Sequence, residues 1–531
     1  MTGYDQAPVT SLKESARRGS RWSFLQFGGS RLATFLVFLV LARLLNPEDF
    51  GVIALATVFV ALVQIVVEGG FGQALIQRVH LERGHVDTVF WTSVLTGLGL
   101  AGGLALAADP LAMLFHEPRL GQVLPALAIG LFIGALGSTH AAQLRRDLRF
   151  APLAVRGLVS NAVAAVVAIV LAAVGAGVWA LVAQYVVLNI VQTVLLWVTA
   201  TVFPGLCVSW RHFLDIFAFS RNTLGTSLLQ AGNRRLGELL IGALLGAVPL
   251  GLYVVGHRLL LVVGEAITQS LLGVAFPVFA RLQNEPARLR KAYLLSLRAS
   301  LALAMPVFLF FTIAATEAVQ VLFGPQWLLA ASVMAVLALA GIVRPLLAVS
   351  DSCLKAIGRP DIVFRNKILN MIVQLGAVAA VAPFGIVWVA WAVVAGTYLL
   401  APLPVWSLIR TGVVDLRSCL RSFVAPLLAA AIMLGAVVGV RAWLLTSTGP
   451  ILRLAAMLAV AIVAYVVALA LLDRELFREI VQTTLPGRQR RQRSALNPSP
   501  HRDRRATGTQ PGEQVGEKRR HTTATGLEIA S

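Results

Sequence analysis

Apolar runs of about twenty residues recur along almost the whole chain, and no other feature constrains its fold as tightly. In hydrocarbon every backbone N–H and C=O must be paired within its own segment or in a closed barrel, so a run of that length reads as a spanning helix. Fourteen such segments can be placed, at about 19–45, 50–77, 86–108, 119–141, 152–175, 178–200, 213–246, 248–280, 290–316, 326–350, 361–383, 386–409, 420–443 and 451–472. With 57% hydrophobic and 13% charged residues among 531, the composition lies outside the soluble globular range. The expected fold is an all-α membrane protein of about 14 transmembrane helices. The first run follows a basic leader but is too long, and lacks the small-residue cleavage site, to be a signal peptide.

A formal net charge of +20 would suit a nucleic-acid binder, but the basic residues are distributed by loop. With the N-terminus inside, the cytoplasmic connections carry Arg78 and Arg83; Arg145, Arg146, Arg149 and Arg156; Arg211 and Arg221; Arg281, Arg288, Arg290, Lys291 and Arg298; Lys355, Arg359, Arg365 and Lys367; and Arg410, Arg417 and Arg421. The alternate connections hold little beyond Arg43, Arg119, Arg441 and Arg453. This is the positive-inside pattern, which places both termini in the cytoplasm and makes the basicity a matter of topology. No nucleic-acid partner is expected.

Residues 473–531 turn abruptly polar and basic, as a disordered cytoplasmic tail would, and the run "GRQRRQR" could touch anionic headgroups. Cys207, Cys353 and Cys419 all fall on the cytoplasmic side, and no disulfide, zinc or other metal pattern links them. HExxH, P-loop and G-x-S-x-G signatures are missing, and no connection between helices exceeds about a dozen residues. The chain therefore reads as a non-enzyme without a cofactor.

An internal repeat gives the helices an order. "LARLLNPEDFGVIAL" from Leu41 aligns with "IGALLGAVPLGLYVV" from Ile241, placing Phe50-Gly51 on Leu250-Gly251 at an offset of 200. Farther on, "LAMLFHEPR" aligns with "VQVLFGPQW" at 208, and Arg156 and Asn161 with Arg365 and Asn370 at 209. Six helices per unit is an even number, so both units enter the membrane from the same side, and such parallel repeats form two bundles about a central cavity. The expected organisation is a cytoplasmic N-terminus at 1–18, a first six-helix bundle at 19–200, a linker at 201–212, a second bundle at 213–409, two further helices within 420–472, and the tail.

Within the apolar runs lie ionisable residues, which in a bilayer normally face protein or a wet cavity. In "LLQAGNRRLGELLIG" Arg234 and Arg235 stand near mid-membrane, and a helix-rise count from the turn near Ala247 puts Arg258 at the same level as Arg235. Arg234 and Glu238 are spaced i,i+4 and could pair, and Arg258, Glu265 and Gln269 share a helix face. Arg31, Glu68, Glu265 and Arg344 form a second tier nearer the cytoplasm, with Glu68 and Glu265 close to repeat-equivalent. The arginine fork matches phosphate oxygens, so Arg31, Arg234, Arg235, Arg258 and Arg344 are candidate anion contacts. Glu68, Glu238 and Glu265 are candidate structural partners or coupling-ion ligands. The bland alternative is helix-tying ion pairs, with Arg344 snorkelling to the interface.

The opening stretch "LARLLNPEDFGVIALATVFVALVQIVVEGGFGQALIQR" resembles that of the Wzx-type polysaccharide and lipopolysaccharide flippases, of the MOP exporter superfamily that includes the MATE exporters and the lipid II flippase. "QLRRDLRF", "LGLYVVGHRL", "FPVFARLQ", "GPQW" and "AIGRPD" extend the resemblance over about residues 12–420. It implies a bacterial cytoplasmic (inner) membrane protein that flips an undecaprenyl-pyrophosphate-linked oligosaccharide by alternating access, for O-antigen, capsule or exopolysaccharide, with polysaccharide polymerase and assembly proteins as partners. It also implies drive by an ion gradient or the membrane potential, and cavity arginines that meet the pyrophosphate. Many relatives carry Asp just before the "LLIG" stretch; here Gly237 stands there with Glu238 beside it. A MATE-like exporter of small organic molecules is the main alternative. A membrane polymerase or ligase would need an outer loop that is not found, and a non-transporting scaffold for a glycan assembly complex would have much the same sequence.

Overall fold

The computed structural model describes residues 33–68, 71–78, 81–200, 203–444 and 449–474. Arg31 lies outside the described residues, as do the side chains of Glu68 and Arg234 and the whole of the tail from 475 onward. The helices are α1 (Ala33–Leu44), α2 (Pro47–Glu68), α3 (Phe71–Gln77), α4 (Arg83–Leu106), α5 (Ala108–Leu114), α6 (Arg119–Arg146), α7 (Phe150–Ala173), α8 (Val178–Thr199) and α9 (Trp210–Leu245). They continue with α10 (Ala247–Arg281), α11 (Pro286–Ile313), α12 (Ala315–Leu322), α13 (Leu328–Ala356), α14 (Pro360–Val381), α15 (Ile386–Leu400), α16 (Pro402–Arg410), α17 (Leu416–Leu444) and α18 (Pro450–Leu472). No strand occurs among the described residues.

Among the described residues, twelve helical stretches are long and apolar enough to cross a membrane, with α2–α3 and α15–α16 each counting as one. The described part of α1 and the 36-residue α9 stand at the first and seventh positions expected from the sequence. Boundaries follow local chemistry. Proline opens α11, α14 and α18, where its missing N–H costs nothing. Gly246, at φ 88°, makes the sharp turn between α9 and α10 that a side-chain-bearing residue would resist. Asp415 caps α17 by accepting the Ser418 N–H at 2.9 Å, and Arg290 of α11 reaches both Asp415 and Ser418. The Ser418 hydroxyl, helped by the Arg290 charge, holds the Asp415 carboxyl below its usual range.

The element order runs twice. The long second span of each half starts at Pro47 and Ala247, short helices α5 and α12 follow the third span of each half, and α6–α8 correspond to α13–α15. The two halves meet most closely where α2 crosses α10. A Cβ added at Gly51 would lie 1.9 Å from the Ala247 carbonyl oxygen, and one added at Gly251 would lie 2.2 Å from that of Pro47. Each glycine thus abuts the residue that is the 200-offset partner of the other's neighbour.

The ends of the helices form two faces, one carrying the arginine-rich connections. The four arginines expected on the opposite face each have a specific partner there. Arg43 donates to the Val321 and Leu322 carbonyls at the end of α12, where helix carbonyls lack intrahelical partners. Arg119 sits 3.3 Å from Glu48 and 3.6 Å from Asp49. Arg441 and Arg453, from the two additional helices, converge at 2.9 and 3.9 Å on Glu317, which is only 2% exposed. Around them the Trp327 indole donates to the Ala42 carbonyl at 2.7 Å and packs edge-on against Phe50, so α1, α2 and the start of α13 share one aromatic contact.

Candidate functional site

Ten residues from the end of α9 and eleven from the start of α10, Arg235 and Arg258 lie about 15–17 Å from the opposite face, near the middle of a bilayer core. The structure brings five of the sequence-derived candidates into one centre. Arg235 donates to Glu238 at 2.7 Å with i,i+3 spacing. Glu238 thus has a partner one turn away on its own helix face, while the expected i,i+4 pairing with Arg234 falls on a side chain outside the described residues. Arg258 is within electrostatic range of Arg235, Glu265 and Glu238.

Arg344 approaches from α13, beside Pro345, and its guanidinium is 3.0 Å from His257 Nε2. The arginine can only donate, so the ring nitrogen accepts and the imidazole is neutral there. Arg344 therefore turns inward, to the residue next to Arg258, in place of the separate tier or the snorkelling posture that its position in sequence allowed. Tyr253, one turn before His257, is within electrostatic range of both Glu238 and Arg344. Phe38 of α1 lies under the Arg258 guanidinium, 5.3 Å from ring centroid to carbon, so the first half of the chain contributes a wall.

His257, Tyr253 and Phe38 were not among the sequence candidates. A histidine in mid-span is itself a signal, since ionisable residues are rare there. The aromatic contributions carry no such mark.

Three arginines face two glutamates and a neutral histidine among the described side chains, and Arg258 Nε is buried without a hydrogen-bond partner. Arg235 and Arg258 also repel each other, a cost that an anion bound between them would remove. Arg235, Glu238, Arg258, Glu265 and Arg344 are all partly accessible, as groups bordering an internal space would be. Chemically, the centre suits a multiply charged oxyanion, and nothing in it resembles a nucleophile with its base.

Among the described residues one trio could hold a metal: Glu82, the N-cap of α4, and His85 of α4 with His212 of α9, whose ligand atoms lie within 4.8 Å of one another. The two rings are 4.1 Å apart, Glu82 is 3.2 Å from His212, and the His212 ring lies over Gly84, where a Cβ would come within 2.6 Å. Arg78, paired with Asp215 beside them, opposes a cation at this point. The trio instead ties α9 to α4 at the arginine-rich face.

A multi-pass helical bundle with a cationic centre midway along its length belongs to the membrane transporters. The chain is a member of the polysaccharide biosynthesis protein family, whose model matches residues 40–332. It is 28% identical over 373 residues to the succinoglycan biosynthesis transport protein ExoT of Rhizobium meliloti, covering 70% of this chain and 75% of the relative. It is 24% identical to the teichuronic acid biosynthesis protein TuaB of Bacillus subtilis, covering 72% and 80%, and 22% identical to the lipopolysaccharide biosynthesis protein WzxC of Escherichia coli, covering 69% and 75%. Among solved structures, the lipid II flippase MurJ in an inward closed conformation aligns with TM-score 0.70 at 13% identity, over 86% of this chain and 99% of that one. An inward-facing MATE transporter of the MOP superfamily aligns with TM-score 0.57 at 16% identity, over 72% and 94%. The fold expected from the resemblance is the fold observed.

Proposed function

We propose that this protein is a flippase for an undecaprenyl-pyrophosphate-linked oligosaccharide, acting in the cytoplasmic membrane of a bacterium by alternating access. The observation that carries this reading is Arg258 near mid-membrane, its Nε buried without a partner and its guanidinium within electrostatic range of Arg235. A pyrophosphate offers several charged oxygens, and arginine N–H groups meet such oxygens in strong charge-assisted bonds. The relatives named for succinoglycan, teichuronic acid and lipopolysaccharide biosynthesis supply the glycan context.

In this mechanism the arginine-rich face is cytoplasmic, with both termini on that side. The headgroup enters the space between the bundles from there, its pyrophosphate settles on Arg258 with Arg235 and Arg344, and the prenyl tail stays in lipid. The glycan is then released on the opposite side, where polymerase and assembly proteins would receive it. Glu238 limits the positive charge so that the anion can leave again. No ATP-binding motif is present, and an ion gradient or the membrane potential would drive the cycle without a cofactor. A MATE-like site for organic cations would call for excess acid, the reverse of the charge found here. No enzymatic step is assigned.

The test is replacement of Arg235, Arg258 and Arg344 singly by Ala, with surface glycan measured at matched protein levels. Losing a charged hydrogen bond of about 1.5–3 kcal/mol predicts a reduction of about ten- to a hundredfold for Arg258→Ala. Unchanged export in all three variants would overturn the reading.

A further inference from the structure

At the arginine-rich end of the second bundle, away from the cationic centre, two adjoining grooves of about 350 and 310 Å³ run between α14 and α16 and share Arg365, Trp406 and Ser407. We infer that this double groove is a binding site for an anionic glycerophospholipid of the leaflet on that face. The inference rests on the membrane placement of the chain and not on its transport substrate.

The groove is graded as such a lipid is graded. Its end at the face holds Arg359, Arg365, Arg410 and Thr411, and its deeper part is walled by Leu369, Ile372 and Leu403. Down α14 from Arg365 to Ile372 is about 10 Å, and down α16 from Arg410 to Leu403 is also about 10 Å, so both walls turn apolar at the same depth. Phe364, Leu369, Ile372 and Trp406 are exposed on this flank, so the groove opens outward toward acyl chains and away from the protein interior.

Charge selects the headgroup. Arg359 is already engaged by Asp361 at 3.2 Å, whereas Arg365 and Arg410 have no carboxylate partner among the described residues. Arg410 lies 3.6 Å over the Trp406 ring, which fixes the guanidinium plane and leaves its N–H edges free for phosphate oxygens. Trp406 stands at the polar–apolar boundary, where indole rings favour the headgroup level. Asn366 Nδ2, in the same groove, is buried with no partner and supplies a donor for a phosphate or ester oxygen. Two uncompensated cations, one unused amide donor and an apolar continuation match a phosphate-bearing lipid. A zwitterionic lipid would bring its own cation against Arg365 and Arg410.

The experiment uses the purified full chain in vesicles of phosphatidylcholine to which phosphatidylglycerol with brominated acyl chains is added, with tryptophan fluorescence as readout. Brominated phosphatidylcholine is the second arm, and inorganic phosphate and a short prenyl pyrophosphate are competitors. The chain has ten tryptophans, so the signal assigned to the groove is the quenching lost in Trp406→Phe. The expected result is saturable quenching by brominated phosphatidylglycerol that exceeds that by brominated phosphatidylcholine. It should weaken about fivefold in apparent affinity for Arg365→Gln and again for Arg410→Gln, in line with about 1 kcal/mol per basic residue at an anionic surface. Unaltered thermal unfolding of the variants in phosphatidylcholine alone certifies their fold. Equal quenching by both lipids, or an anionic preference that survives both Gln substitutions, overturns the site. Displacement by prenyl pyrophosphate at lower concentration than phosphatidylglycerol, or by inorganic phosphate alone, overturns its assignment to a membrane phospholipid. Loss of glycan export in the Arg258→Ala variant would leave the quenching unchanged, so the two readings fail separately.

Discussion

Substituting Gly51 or Gly251 by alanine tests the junction on which alternating access would depend. In the structure the added methyl carbon would stand 1.9 Å from the Ala247 carbonyl oxygen in the first case and 2.2 Å from the Pro47 oxygen in the second. Ordinary contact begins near 3.4 Å, so α2 and α10 must part locally by about 1.2–1.5 Å. The obstacles are backbone atoms, which no rotamer change removes. Overpacking of this kind costs about 1–3 kcal/mol where the surroundings can adjust. Applied to an equilibrium between states closed and open at the opposite face, the same energy is about a 5–150-fold shift away from the closed one. Spin labels at Met113→Cys and Leu329→Cys, exposed positions on α5 and α13 at that face, report the separation of the halves once Cys207, Cys353 and Cys419 have been replaced. The expected outcome is a longer distance distribution in Gly51→Ala and Gly251→Ala, with reduced glycan export, while Gly99→Ala, where an added Cβ meets nothing within 4 Å, behaves as the parent. If both junction variants match Gly99→Ala in distance and stability, the close crossing of α2 and α10 is refuted.

Two further outcomes follow from partners identified above. Glu317→Gln removes the charge on which Arg441 and Arg453 converge; breaking a buried pair costs about 3–5 kcal/mol, and the partial exposure of Arg441 reduces this to about 1–3, read as a lower unfolding temperature in detergent. His257→Phe deprives the Arg344 guanidinium of its acceptor and should lower export, whereas His257→Gln, which retains an acceptor oxygen, should recover most of it at equal protein level.

The all-helical membrane fold was legible because the bilayer imposes a minimum apolar length that a sequence must display openly. Gly51 and Gly251, paired by the sequence at an offset of 200, both lie against backbone atoms that tolerate no side chain. Depth could be counted along a helix, which is how Arg235 and Arg258 came to share a level. Azimuth could not be assigned from one helix alone. Arg234 and Arg235 are both within reach of Glu238 by spacing; Arg235 pairs with it, and the Arg234 side chain lies outside the described residues. Likewise the inward turn of Arg344 needed His257 from another helix, and an exposed lysine-like snorkel would have had the same sequence. Phe38 could not have been singled out, since an aromatic residue under a guanidinium looks no different from one facing lipid.

The partners of the arginines make the strongest physical argument for a ligand at the centre. Off the arginine-rich face, Arg43 meets helix carbonyls, Arg119 meets Glu48 and Asp49, Arg441 and Arg453 meet Glu317, and each can therefore be explained by structure alone. Within the membrane, Arg235 has Glu238 and Arg344 has His257. Arg258 differs: its Nε is buried without a partner, its flank is an aromatic ring, and Arg235 adds repulsion. A residue kept only for stability would gain from a nearer carboxylate, and the cost of leaving the donor unused is about 1–3 kcal/mol. In the proposed cycle, an arginine at mid-membrane with an unused donor would offer the anion a contact at a site that must fill and empty. Arg258→Lys separates the two roles: a point charge retained without the planar fork should preserve stability yet weaken recognition of a pyrophosphate. Full export by Arg258→Lys would reduce the residue to a positive charge and remove the case for fork-like recognition.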